Sequence, residues 1–177
     1  MIGRSIITIG VDMERLDRYF KQITDAVGLL HSNSMFVQAV TLTYVYMDHM
    51  SWLTVDGKKH SPHDFKKWVD DYMISKNPFG CSSTDLWEAR NSVIHMGTAE
   101  SDKFQERNAK RIHYYRRTHS PTPLVNDLVF VDVDHLIMSF LTGVMIFRID
   151  LEKDVGRTSI VEGKLNKLLM NELGPTL

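Results

Sequence analysis

Three residues near the middle of the chain carry side chains suited to catalysis on a phosphate: Arg90, Asn91 and His95. A guanidinium can hold a phosphoryl oxygen and stabilise its charge, and an imidazole titrates near neutral pH and can move a proton. On a helix, Arg90 and His95 would diverge by about 140° with Asn91 between them, and long side chains can converge on one anion across that arc. The spacing therefore allows phosphate chemistry. It also allows a structural role, in which Arg90 pairs with an acid and His95 lies at the helix border.

These residues belong to a helix predicted over 83–97, because serines precede it, acids fall in its first turn and Gly97 suits the position just past its end. Arg90 falls inside the apolar arc of this helix, where a guanidinium is almost never placed without a partner. Asp48 is the candidate partner, since it lies on an apolar stripe of a predicted helix that is apolar on most sides. Two misfit opposite charges on two core helices are most simply explained by an ion pair. The alternative is that Asp48 faces the edge of its own helix.

A basic segment with interleaved aromatic rings follows the key helix at 103–119. Cations next to rings that can stack suit single-stranded RNA, whereas a run of charges is also typical of a solvated surface strand. Both readings stay open for this segment. The residues that we predict to bind RNA are Lys110, Arg111, Tyr114, Arg116 and Arg117.

No metal or cofactor is predicted. His60 and His63 with Asp64 could be read as ligands, but two imidazoles without a companion cluster are more typical of loop and helix-cap chemistry. The sequence has no glycine-rich phosphate loop, no nucleophile elbow and no Cys-His zinc pattern.

Length and composition predict one globular domain over 1–177, with the first ten residues compatible with either a strand or a loose arm. The net charge of -1 gives no global field for nucleic acid, so such a site must come from local clustering. The only cysteine, Cys81, excludes a disulfide framework and favours a reducing, cytoplasmic compartment. No secretory pattern is expected at the N-terminus, and the longest apolar run, 136–149, is too short and interrupted to span a membrane.

Apolar periodicity predicts an all-α protein, a bundle of about six helices. The predicted helices cover about 13–31, 35–53, 62–75, 83–97, 133–152 and 158–173. Two short extended segments, 111–116 and 128–131, are separated by Ser120-Pro121-Thr122-Pro123, and they predict a small antiparallel two-stranded excursion.

The segment 86–97, Leu-Trp-Glu-Ala-Arg-Asn-Ser-Val-Ile-His-Met-Gly, resembles the active-site helix of the HEPN superfamily. The mark of that helix is an Arg, then a polar residue, a short spacer and a His, after an aromatic residue and before a turn. Arg90, Asn91 and His95 match this mark, and Asp48 stands where the family has an acid on the preceding core helix. The continuation 98–102 and the basic segment resemble small stand-alone bacterial members. The resemblance covers about 13–152 in helical order and is specific around 86–102.

The resemblance implies a helical bundle that forms a homodimer, with the two Arg–His motifs facing a shared cleft. It also implies a metal-independent endoribonuclease, often a toxin with an antitoxin partner or an antiphage effector. His95 would transfer a proton, Arg90 would stabilise the phosphorane and Asn91 would position a phosphate oxygen or the imidazole. Some members of the family only bind ligands or partners, so a non-catalytic nucleotide- or partner-binding dimer is the alternative. A third possibility is a purely structural dimer built on the apolar helix 136–149.

Overall fold

The computed structural model describes residues 13–57, 59–96, 109–116, 128–165 and 167. Within this part of the chain, six α-helices and one two-stranded sheet are present, as the sequence predicts. The elements are α1 (Met13–Ser32), α2 (Phe36–Leu53), α3 (Pro62–Val69), α4 (Ser83–Met96), β1 (Arg111–Tyr115), β2 (Leu128–Asp132), α5 (Val133–Glu152) and α6 (Val155–Leu165).

Helix α2 is the centre of the bundle, as its predominantly apolar sequence predicts. It packs against α1, α3, α4 and α5, and its inner side chains Tyr44, Met47 and Met50 are fully buried. Lys164 of α6 caps the C-terminal end of this helix. Its Nζ donates to the carbonyl of Trp52 at 2.5 Å and to that of Val55, just past the helix. Because α2 carries Asp48, this packing fixes the position of that residue in the bundle.

Helix α3 begins with a capping box, in which Ser61 and Asp64 satisfy each other's backbone amides and Pro62 occupies the first turn. The helix predicted over 62–75 then continues as a wider π-helical segment, Asp70–Ile74. Gly143 of α5 lies against this segment, where a Cβ would stand 3.0 Å from the carbonyl oxygen of Tyr72. The absence of a side chain at that position lets α5 approach closely.

The two strands pair in parallel, with Arg111 opposite Leu128 and Tyr115 opposite Asp132. The antiparallel pairing expected from the sequence is wrong. An antiparallel pair needs only a tight turn, whereas a parallel pair needs a connection of about a dozen residues to bring the chain back. The segment 116–127 has that length.

Helix α5 has the predicted bounds, and its cap is Asp132, which accepts a hydrogen bond from the backbone amide of His135 at 2.9 Å. Helix α6 begins three residues earlier than predicted because Asp154 accepts from the amide of Arg157 at 3.0 Å and so caps it. The predicted continuation of α6 to about 173 lies mostly outside the described residues. No helix of the described part of the chain is long and apolar enough to cross a bilayer.

Candidate active site

The first turn of α4 is locked to its surroundings, and this sets the direction of the helix that carries Arg90. Ser82 and Asp85 form a capping box: Asp85 Oδ2 accepts from the amide of Ser82 at 2.8 Å, and Ser82 Oγ accepts from the amide of Asp85 at 3.2 Å. Asp85 Oδ1 also accepts the backbone amide of Lys110 at 2.6 Å, which ties β1 to the helix. Ser83 Oγ donates to Asp70 at 2.9 Å. The helix is therefore anchored on the bundle one and a half turns before Arg90.

Arg90 and Asp48 form the ion pair that their misfit positions predict. Arg90 Nε donates to Asp48 Oδ2 at 2.6 Å, and Arg90 Nη2 contacts the same oxygen. Only 18 % of the arginine side chain and 14 % of the aspartate side chain are exposed. The pair crosses from α4 to the central helix, so the guanidinium has one fixed orientation.

Asn91 completes the arrangement, because Arg90 Nη1 donates to its Oδ1 at 2.9 Å. A guanidinium has five N–H donors, and three of those on Arg90 are engaged with Asp48 and Asn91. Two N–H groups of Arg90 and the amide NH2 of Asn91 have no hydrogen-bond partner among the described residues. Arg90 and Asn91 are both half-buried, so these donors form a small partly desolvated group suited to an anionic oxygen.

An aromatic wall supports the guanidinium. The Arg90 Cζ lies 5.1 Å from the ring centroid of Trp87, within the range of a cation–π contact. Trp87 in turn meets Phe65 of α3 edge to face, with ring centroids 5.2 Å apart. The wall restricts water on one side of Arg90, which strengthens its electrostatic interactions.

An imidazole contacts the turn of α2 that follows Asp48. His60, in the loop before α3, has its Nε2 2.8 Å from Ser51 Oγ, and Ser51 is one helical turn from Asp48 on the same face of α2. Burial lowers the pKa of His60 from its ordinary value, the charge of Asp48 partly opposes that shift, and the charge of Arg90 adds to it. From the sequence pattern, only loop and helix-cap chemistry is expected of His60.

His49, the neighbour of Asp48 in sequence, points to α1 instead. Its Nδ1 lies 3.0 Å from the hydroxyl of Tyr19, and burial lowers its pKa. It is thus a packing contact between α1 and α2.

His95 is on α4 as predicted, in the last turn of the helix. Its side chain lies outside the described part of the structure. Its proposed role in proton transfer stays a prediction.

The residues predicted to bind RNA fall into two groups. Tyr114 contacts the central helix: its hydroxyl lies 2.5 Å from that of Tyr44 on α2, and burial raises its pKa. Arg116 is distant, because its guanidinium stacks 4.1 Å from the ring of Phe36, about 18 Å from Asp48 along α2. The Lys110 side chain is exposed and Arg111 is half-buried. Arg117, Lys103 and Arg107 lie outside the described residues.

The described residues contain no group of three or more His, Cys, Asp or Glu side chains that could hold a metal ion. His63 is exposed, and Asp64 is engaged with Ser61 in the capping box. The thiol of Cys81 is buried, which raises its pKa to about 12, so it is unsuited to nucleophilic attack.

The sequence pattern predicts the Asp48–Arg90 pair. It does not predict the contact of His60 with Ser51 or that of Trp87 with Arg90. Trp87 lies one turn before Arg90, and this i, i+3 spacing was a usable signal. The contact between His60 and Ser51 had no signal, because it depends on the path of the loop after α2.

Comparison of the chain with protein-family models, with curated proteins and with solved structures gives no match. The site therefore has to be interpreted from its own geometry.

Proposed function

We propose that this protein is a metal-independent endoribonuclease of HEPN-like type. The observation that carries the proposal is the Asp48–Arg90–Asn91 arrangement. In it a core acid fixes the guanidinium, while other N–H groups of Arg90 and Asn91 have no partner among the described residues. Transesterification of RNA needs donors of this kind, because negative charge develops on the non-bridging oxygens of the phosphorane. His95, on the same helix, is the proposed proton-transfer group.

In the proposed reaction the ribose 2′-oxygen forms a bond to the adjacent phosphorus and the bond from phosphorus to the 5′-oxygen breaks. One proton leaves the 2′-hydroxyl and one joins the 5′-oxygen, so the reaction requires two proton transfers. The products are a 2′,3′-cyclic phosphate and a 5′-hydroxyl. No oxidant, metal ion or cofactor takes part.

The proposed substrate is RNA and the proposed working unit is a homodimer. The proposed role is that of a toxin or antiphage effector controlled by an antitoxin. The proposed contacts to RNA are Tyr114 and the cations Lys110, Arg111, Arg116 and Arg117. The distance of Arg116 from Asp48 means that a single nucleotide could not span both. A substrate of several nucleotides is the proposed ligand.

The test is incubation of the purified protein with total RNA in EDTA, beside His95→Ala and Arg90→Ala. We expect the wild type to cleave RNA and leave 2′,3′-cyclic phosphate ends, and both variants to lose at least a hundredfold in rate. A folded His95→Ala protein that cleaves as fast as the wild type would exclude the mechanism. Individual tRNAs are tested as well, because a narrow substrate range would hide activity on total RNA.

The second candidate function is a non-catalytic protein that binds a nucleotide or partner through the same site. The half-buried donors of Arg90 and Asn91 would bind a phosphate without turnover. Tight binding of a nucleotide, lost in Arg90→Ala, with no cleavage of any RNA, would favour this function over the ribonuclease.

A further inference from the structure

We propose that His60 is the second proton-transfer group of the site and accepts the proton of the attacking 2′-hydroxyl. The inference rests on the proposed ribonuclease function and adds to it a residue outside the Arg-Asn-x3-His stretch. The two imidazoles of the proposed reaction, His60 and His95, then belong to one protomer. Neither the removal of the 2′-hydroxyl proton nor the protonation of the 5′-oxygen needs a histidine from the second protomer.

The geometry around His60 supports this role. Its Nε2 is 2.8 Å from Ser51 Oγ, and Ser51 lies three residues after Asp48, whose carboxylate holds Arg90. His60 is therefore joined, through Ser51, to the face of α2 that carries the carboxylate holding Arg90. His60 is half-buried.

The hydrogen bonds of Ser51 are compatible with a basic Nδ1 on His60. The hydroxyl of Ser51 has one proton, which can go to the carbonyl of Asp48 at 3.0 Å or to His60 Nε2 at 2.8 Å. In the first case Ser51 Oγ accepts from Nε2, and this is the tautomer that the proposed role requires. The lone pair is then on Nδ1, which has no hydrogen-bond partner among the described residues, and this atom can take the 2′-hydroxyl proton.

Four charged groups face the imidazole from the elements around it: Asp48 of α2, Asp64 of α3, Arg90 of α4 and Lys164 of α6. The two acids raise the pKa of His60, the two cations lower it, and burial lowers it most. The pKa lies below the ordinary 6.5, so the ring is neutral at pH 7. A neutral imidazole is the form that a general base requires.

The proposed step balances. The 2′-hydroxyl proton moves to His60 Nδ1 while the 2′-oxygen bonds to phosphorus. The 5′-oxygen leaves and takes a proton from His95. The two N–H groups of Arg90 that Asp48 and Asn91 leave over bind the non-bridging oxygens.

The experiment compares His60→Gln with His63→Gln, a matched control in which an exposed histidine three residues further on is changed. We expect His60→Gln to lose a hundredfold or more in kcat/KM and to lose the acid limb of the pH–rate profile, which in the wild type has its midpoint below pH 6.5. His63→Gln should cleave within about twofold of the wild type. Denaturant unfolding of both variants checks that they fold.

A second measurement uses the wild-type protein, so it does not depend on the folding of a variant. A 2′-deoxy oligonucleotide cannot be cleaved, and we expect it to shift the imidazole resonances of His60 in NMR spectra and leave those of His63 unchanged.

Two results overturn the inference and can be told apart. If the wild type cleaves RNA and His95→Ala does not, but His60→Gln keeps its rate and its acid limb, His60 has no catalytic role while the ribonuclease stands. If the wild type cleaves no RNA in EDTA, the proposed function fails and the role of His60 with it.

Discussion

At the residue scale, the ion pair between Asp48 and Arg90 controls both stability and the site, and replacing Asp48 by Asn tests this. The substitution leaves a largely buried guanidinium without its acid. Loss of a fully buried pair costs about 3–5 kcal/mol, and the remaining exposure of these side chains reduces the cost. We expect the free energy of unfolding, measured in urea at pH 7, to fall by about 1–3 kcal/mol.

The matched control is Asp25→Asn, which removes the acid of the exposed Lys21–Asp25 pair on α1. This change should alter the free energy of unfolding by less than about 0.5 kcal/mol. Equal effects of the two substitutions would show that the Asp48–Arg90 pair has no special place in the fold.

The pairing of Asp48 with Arg90 could be predicted because each residue breaks the apolar pattern of its own helix. A sequence pattern reports such local conflicts well. It does not report the path of a loop, so the contact of His60 with Ser51 was beyond it. Burial was also beyond it. On the apolar helix 136–149, the candidate for a structural dimer, Val144 is 1 % exposed, so its substitution would disrupt the core.

At the element scale, the helices were predictable from apolar periodicity and from caps such as Ser61 and Asp132. The parallel pairing of β1 with β2 was not, because strand direction depends on where the connection returns the chain. The π-helical segment Asp70–Ile74 was also outside the reach of the pattern. It widens the helix by local backbone geometry while its side chains Tyr72 and Met73 stay in the core.

Gly143 allows α5 to approach that segment, and Gly143→Ala tests the contact. The added Cβ would lie 3.0 Å from the carbonyl oxygen of Tyr72, 3.2 Å from Met73 Cγ and 3.4 Å from Trp68 Cη2. Because the nearest atom is backbone, the helices must separate, and we expect a loss of about 1–3 kcal/mol in unfolding free energy.

Gly163→Ala on α6 is the control, since its Cβ meets nothing within 4 Å. It should stabilise the protein by about 1 kcal/mol. A neutral Gly143→Ala would refute the close approach.

At the scale of the whole molecule, Asp134 connects three parts of the chain that are far apart in sequence. Its Oδ1 lies 2.7 Å from Nε2 of His31 on α1, and its Oδ2 is 3.6 Å from Nη2 of Arg116, just after β1. Asp134 itself lies in the first turn of α5. One carboxylate thus holds the corner where the sheet meets the first and fifth helices.

This corner makes part of the stability dependent on pH. The hydrogen bond from His31 and the charge of Arg116 hold the pKa of Asp134 below its ordinary 3.8. Because the pKa is lower in the folded state, the stabilisation is present above about pH 4 and is lost as the pH falls through the folded pKa. Asp134→Asn should therefore lower the free energy of unfolding by about 1 kcal/mol at pH 7, since the pair is partly exposed, and by less at pH 3.

Urea unfolding at pH 7, 5 and 3 measures the difference from the wild type, with Asp150→Asn of the exposed Asp150–Lys153 pair as control. A difference that stays constant from pH 7 to pH 3 would show that the carboxylate acts through packing and that its charge contributes nothing to the corner.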